Sequence, residues 1–177
     1  LRLGMAGLSE VVDIRIQNEV PAEEVFEKLT LQCPDGIVIR SLHSLGSDAP
    51  KLSVISNWAD FMIFMPGSVA DRIPAESLDQ FMAQEEIRVD RLTKKGRPKV
   101  VDIRPGIQHL KWLEELPSDA EGLQVCRSDE RLLSMRICLQ GDHLAKPEDV
   151  LVKWFEGELP SGMQAVRRRL LPAPSPK

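Results

Sequence analysis

Hydrophobic and polar positions along this chain switch between two periods. Val11-Val12-Asp13-Ile14-Arg15-Ile16 alternates, which predicts a strand with Val12, Ile14 and Ile16 facing a core. From Pro21 the period lengthens. Ala22, Val25, Phe26 and Leu29 stand at i, i+3, i+4 and i+7 and make one apolar stripe on a helix. Pro21 suits the opening of that helix, because the N–H it lacks would be unpaired in the first turn anyway. Glu23 and Glu24 follow where the helix dipole favours anions, and Cys33-Pro34-Asp35-Gly36 stops the helix. Residues 37–42 predict a second strand and residues 52–65 a third, with Trp58, Phe61, Ile63 and Phe64 towards its end. A second helix opens at Pro74 with Leu78, Phe81 and Met82 inward.

Residues 87–92 and 100–104 alternate again around a turn that holds Gly96 and Pro98, which predicts a β-hairpin with a longer loop. Past a kink at Pro105-Gly106, residues 107–113 continue as strand. Residues 123–127 and 132–139 read as a second hairpin around Ser128-Asp129-Glu130. A third helix opens at Pro147 with Val150, Leu151, Trp154 and Phe155 apolar, and residues 165–171 read as a last strand.

Through residue 92 the order is strand, helix, strand, strand, helix, strand. That is the split βαβ pattern of a ferredoxin-like fold. Residues 93–171 predict a second, partial or decorated βαβ-like unit, rich in strand, with one helix and packed on the first. Residues 172–177, with three prolines in six positions, predict a disordered tail. The expected class is α+β, with a mainly antiparallel sheet and helices on one face. The five residues Val-Val-Asp-Ile-Arg occur twice, at 11–15 and 100–104.

Charge singles out one stretch. The chain carries −4, yet Arg88, Arg91, Lys94, Lys95, Arg97, Lys99 and Arg104 face only Asp90 and Asp102 between residues 88 and 104. That segment is +5, so the rest is −4 − 5 = −9. A basic strip on an acidic body points to one anionic partner rather than general adhesion. Three cysteines, Cys33, Cys126 and Cys138, do not make a disulfide framework and fit a reducing, cytoplasmic setting. No apolar run reaches the length of a membrane span, and no signal peptide is visible.

Signatures of catalysis are missing from the sequence. Cys126 and Cys138 lie twelve apart and His43, His109 and His143 are isolated, which is not the paired spacing of a zinc site. No Gly-x-Ser-x-Gly elbow or Gly-rich phosphate loop occurs, and Ser41 and His43 lack a marked third member. No catalytic residue, metal site or cofactor is therefore assigned. The hairpin supplies the binding candidates: Lys94, Lys95, Arg97 and Lys99 at the turn, with Asp102 and Arg104 on one face of the strand behind it. Cations on a turn can hold phosphates without reading bases. The same charges also suit a solvated turn that stays soluble and protects a sheet edge. Arg167-Arg168-Arg169 would extend the patch if the last strand lies nearby, with Arg168 pointing away from its neighbours. The chain has no Tyr, and its Trp and Phe residues fall in core-like positions, so base stacking is not indicated.

Four places give the chain a family resemblance: Leu3-Gly4 leading into Val12-Asp13-Ile14; Pro21-Ala22-Glu23-Glu24-Val25 with Pro34-Asp35-Gly36-Ile37; Val101-Asp102-Ile103-Arg104-Pro105; and Pro147-Glu148-Asp149-Val150-Leu151 before the Arg-rich last strand. With these the chain resembles the uncharacterised bacterial radical SAM-linked protein family, also found fused to cobalamin-binding-type radical SAM proteins. The resemblance implies a radical SAM protein as partner and a link to RNA modification. The family's further N-terminal segment, with a Lys-Thr-Gly strand and a Ser-His-Leu-Asp helix start, has no match here, so a C-terminal portion is expected. The three-cysteine iron–sulfur signature of a radical SAM core is absent from this sequence. Three readings follow. The first is a non-catalytic accessory module that contacts RNA or another anionic partner through the basic hairpin. The second is part of an RNA-modification enzyme whose active segment lies N-terminal to this chain. The third is a structural domain. Oligomeric state is not legible.

Overall fold

The structure, a computed structural model, describes residues 5–93, 95–120 and 129–172 (for Ser53, the backbone alone). The chain falls into two compact units. One is Val12–Val54, and the other takes in the chain up to Val11 and from Ile55 onward.

The smaller unit is built on helix α1 (Ala22–Gln32). Its predicted stripe forms: Ala22, Val25, Phe26 and Leu29 are its half-buried positions, while Glu23 and Glu24 stand exposed in its first turn. None of its residues is fully buried. Lys28 pairs with Glu24 one turn earlier at 2.5 Å. Cys33 ends the helix in an extended conformation, as a residue before proline favours. The strands expected at residues 11–16 and 37–42 do not form. Val12, Ile14 and Ile16 are 75%, 58% and 46% exposed rather than in a core. An alternating run becomes a strand only when a neighbour takes up its N–H and C=O groups, and none lies beside these two among the described residues. One tie within the unit is the Leu52 N–H, which donates to the Asp13 carboxylate at 2.8 Å. With those strands missing, the ferredoxin-like βαββαβ unit over residues 1–92 is not confirmed, although the structure is mixed α and β with a mainly antiparallel sheet.

The larger unit holds a five-stranded sheet around β2 (Trp58–Pro66), preceded by the single turn of α2 (Leu52–Ile55) where strand was expected. Strand β2 is apolar on both faces and pairs antiparallel with β6 (Glu130–Cys138) on one side and β7 (Gln164–Leu171) on the other. Strand β5 (Ile107–Leu113) lies outside β6, and the two residues of β1 (Ala6–Gly7) run parallel to β7 at the opposite edge. Alternation splits the burial. Ala59, Phe61, Ile63 and Met65 join the main core with Leu133, Met135 and Ile137. Met62 and Phe64 face the other way, into a smaller cluster with Ala120, Leu132 and Val166.

Three helices, α3 (Gly67–Ala70), α4 (Ser77–Met82) and α5 (Pro147–Trp154), contribute to the main core. In α4, Leu78 and Phe81 are buried while Met82 is only half-buried. In α5, Pro147, Val150, Leu151 and Trp154 recur at i, i+3, i+4 and i+7 and all four are buried, whereas Phe155 lies just beyond the helix and is half-buried. Trp154 donates its indole N–H to Ser77 Oγ at 3.0 Å and its ring lies 6.0 Å from that of Trp112, so one side chain joins α5, α4 and β5.

The basic hairpin forms as β3 (Arg88–Leu92) against β4 (Pro98–Asp102), in a two-stranded sheet of its own. A 3₁₀ turn at Arg104–Gly106 ends it, so β5 belongs to the other sheet instead of continuing β4. Gly106 is required there: a Cβ would stand 1.9 Å from the His143 carbonyl oxygen. Residues 123–127 lie outside the described residues, and β6 takes β5 and β2 as its partners.

Candidate functional site

The hairpin separates its cations into anchored and free. Ile87, Val89, Val101 and Ile103 turn into the main core and fix one face of it. Arg91 lies on that same inner face. It donates to the Leu144 carbonyl at 2.7 Å and ion-pairs with Asp149 in the first turn of α5. Arg104 was a binding candidate, but its guanidinium donates to the carbonyls of Met82, Gln84 and Ile107, closing the end of α4 onto the start of β5. Asp102 accepts from the backbone N–H groups of Ile87 and Arg104 at 2.9 and 3.0 Å. Burial raises the Asp102 carboxyl, yet those two N–H donors and the nearby His143 and Arg88 outweigh it and hold it below its ordinary value. Asp102 and Arg104 thus shape the hairpin base, and their side chains do not pair with each other.

At the tip the picture is different. The turn is closed by Thr93 N–H to Arg97 O at 2.8 Å, Gly96 N–H to Thr93 O at 2.9 Å and Arg97 N–H to Thr93 Oγ1 at 3.0 Å. Gly96 sits at φ 72°, a conformation glycine adopts without the Cβ penalty. Lys95, Arg97 and Lys99 are exposed; Lys99 approaches only Asp142, at 3.8 Å, and the side chains of Lys95 and Arg97 have no partner among the described residues. Lys94 lies outside the described residues.

The larger sheet holds a second constellation that the sequence reading missed. Asp60 is a carboxylate only 3% exposed, inside the apolar β2. Arg136 of β6 grips it through Nε at 2.5 Å and Nη2 at 2.9 Å, and Arg169 of β7 through Nε at 2.8 Å. On the neighbouring β5, His109 Nε2 lies 3.0 Å from Ser134 Oγ of β6. The lone acid within Trp58-Ala59-Asp60-Phe61-Met62-Ile63 was the available signal, since a charge in a buried strand needs a partner. The arginine run of the last strand supplies one. A register shift between β2 and β7 breaks the alternation, so Arg169 reaches Asp60 while Arg168 pairs with Asp119 and Arg167 with Glu10. All three arginines are ion-paired, and none of their pairs involves the hairpin.

Burial raises the Asp60 carboxyl, but the hydrogen bonds and charges of Arg136 and Arg169 outweigh it and hold it below its ordinary value. Its stabilising share is therefore complete above the ordinary carboxylate range and is lost as pH falls through its depressed folded value. His109 moves down as well, pushed first by burial and then by the Arg136 charge, against the pull of Asp60. By NMR the His109 ring protons will titrate below an unstructured histidine peptide. A midpoint at or above the peptide's would mean that the ring is not held in this half-buried place.

These features define an α+β domain: a mainly antiparallel sheet, a core-anchored basic hairpin, and a buried carboxylate between two arginines. The chain belongs to the family DUF2344, described as an uncharacterized protein conserved in bacteria, whose family model matches residues 1–143. No curated protein and no solved structure matches the chain. Among the described residues no helix is long and apolar enough to cross a membrane, and no group of His, Cys, Asp and Glu side chains is placed to hold a metal ion.

Proposed function

We propose that the chain is a binding module that holds RNA through the tip of its basic hairpin, as the accessory partner of a radical SAM enzyme. One observation supports this reading most: the base of the hairpin is locked into the core by Val89, Val101, Arg91 and Arg104, while Lys95 and Arg97 at its tip are exposed and uncommitted. A structural hairpin needs only the locked half. A rigid base under free cations places them at small entropic cost on contact with phosphates. The radical SAM enzyme enters through the sequence resemblance at Val101-Asp102-Ile103-Arg104-Pro105 and the three further places beside it.

Reversing the charge of Lys94, Lys95, Arg97 and Lys99 together tests the claim. RNA affinity will fall at least tenfold at low salt, and the salt dependence will flatten, because each lost phosphate contact removes about one unit from the slope. Unchanged affinity and slope would sink the reading. Co-purification of a radical SAM protein with the chain tests the partner.

A further inference from the structure

We infer that the sheet face around Arg136 and Arg169 is a binding site for the phosphate dianion of a small phosphorylated molecule. The inference does not depend on the hairpin reading and involves none of the hairpin's residues.

The geometry leaves more cation than the buried acid needs. Arg136 alone satisfies Asp60 side-on, through Nε and Nη2 to the two carboxylate oxygens. Arg169 spends only its Nε on Asp60, and its two Nη groups have no partner among the described residues. Arg136 keeps Nη1 uncommitted in the same sense. Two guanidiniums against one carboxylate give +1. Lys111, exposed on β5 and opposite Ser134 in the β5–β6 ladder, brings the face to +2. The neighbouring Arg168–Asp119 pair adds nothing to that sum. A net +2 with several N–H donors matches a dianion with three terminal oxygens better than a single carboxylate, and guanidinium forks suit such oxygens.

The face is also built to hold its donors still. Asp60 is 5% exposed at its side chain, Arg136 26% and Arg169 43%. The acid at the floor fixes the Arg136 guanidinium at two points and holds Arg169 at one, so less rotamer freedom remains to be lost when an anion arrives. His109 and Ser134, hydrogen-bonded to each other at 3.0 Å, line the same face and offer neutral polar groups beside the charged ones. Partial exposure leaves the site open to solvent while lowering the screening that an isolated surface arginine would feel.

Inorganic phosphate titrated into the 177-residue chain, followed by NMR of the arginine Nε–H signals and the His109 ring, reads the site directly. Saturable shifts at Arg136, Arg169 and His109 are expected. Arg169→Gln, which leaves Asp60 its two-point grip from Arg136, will weaken phosphate at least tenfold while the protein stays folded. Lys111→Gln, an exposed position, will weaken it severalfold. Reversing the hairpin charges will leave phosphate affinity unchanged, which separates failure here from failure of the RNA reading. The proposal is overturned if the shifts do not saturate, if Arg169→Gln binds phosphate like the parent, or if an RNA oligomer without terminal phosphate displaces phosphate from this face.

Discussion

Replacing Asp60 by Asn will lower the unfolding free energy by about 3 kcal/mol, the low end for breaking a buried ion pair. The low end applies because Arg136 and Arg169 keep side-chain exposures of 26% and 43% and recover some hydration. The amide retains the shape but supplies one acceptor oxygen and no charge, leaving two guanidiniums facing each other across β2. At roughly 2–4 °C per kcal/mol for a chain of this size, the melting temperature falls by about 10 °C. Arg169→Gln will cost clearly less, since Asp60 keeps its two-point contact with Arg136. Thermal unfolding of both variants checks the pair. Near-parental stability of Asp60→Asn would mean that the carboxylate is not the element tying β6, β2 and β7 together.

Removing Trp154 will have the other large effect. Trp154→Ala is expected to cost about 3–5 kcal/mol, the range for deleting a buried aromatic side chain. Trp154 is 7% exposed, packs at 6.0 Å from Trp112 and 5.0 Å from Phe155, and bonds to Ser77. Losing it opens a cavity where α5, α4 and β5 meet. Ser77→Ala isolates the hydrogen bond and will cost about 1 kcal/mol. Urea unfolding of the two variants gives both numbers, and equal losses would show that the indole's bulk contributes nothing.

What the sequence disclosed follows the reach of each signal. Proline openings and i, i+3, i+4 stripes are local, so helices starting near Pro21, Pro74 and Pro147 were legible. The hairpin was legible because turn and strands are contiguous. Alternation alone was not enough. Val-Val-Asp-Ile-Arg forms strand and a 3₁₀ turn at residues 100–104, beside β3, and has no regular structure at residues 11–15. The five residues are the same, and the neighbour differs. The site divides the same way. The exposed cations at Lys95, Arg97 and Lys99 could be read off composition. The structural commitments of Asp102 and Arg104 could not, because their partners at Ile87, Met82 and Gln84 are set by how the hairpin packs on α4. Asp60, Arg136 and Arg169 come from three strands far apart in the chain, and only the sheet order and the register shift beside Asp60 bring them together.

The central place of β2 has a consequence for how the molecule is made. Both of its partners come later in the chain: Met62 waits for Ser134 on one side and Val166 on the other. The second of these is 166 − 62 = 104 residues further on. At roughly 5–20 residues per second of synthesis, Phe61 to Met65 spend about 5–20 s outside any finished sheet. Until Ser134 emerges, 134 − 62 = 72 residues on, this apolar segment has both ladder edges open, and until Val166 emerges it still has one. Folding of this unit is therefore gated by the arrival of its last strand, and a nascent chain stalled before Gln164 would present that segment to chaperones.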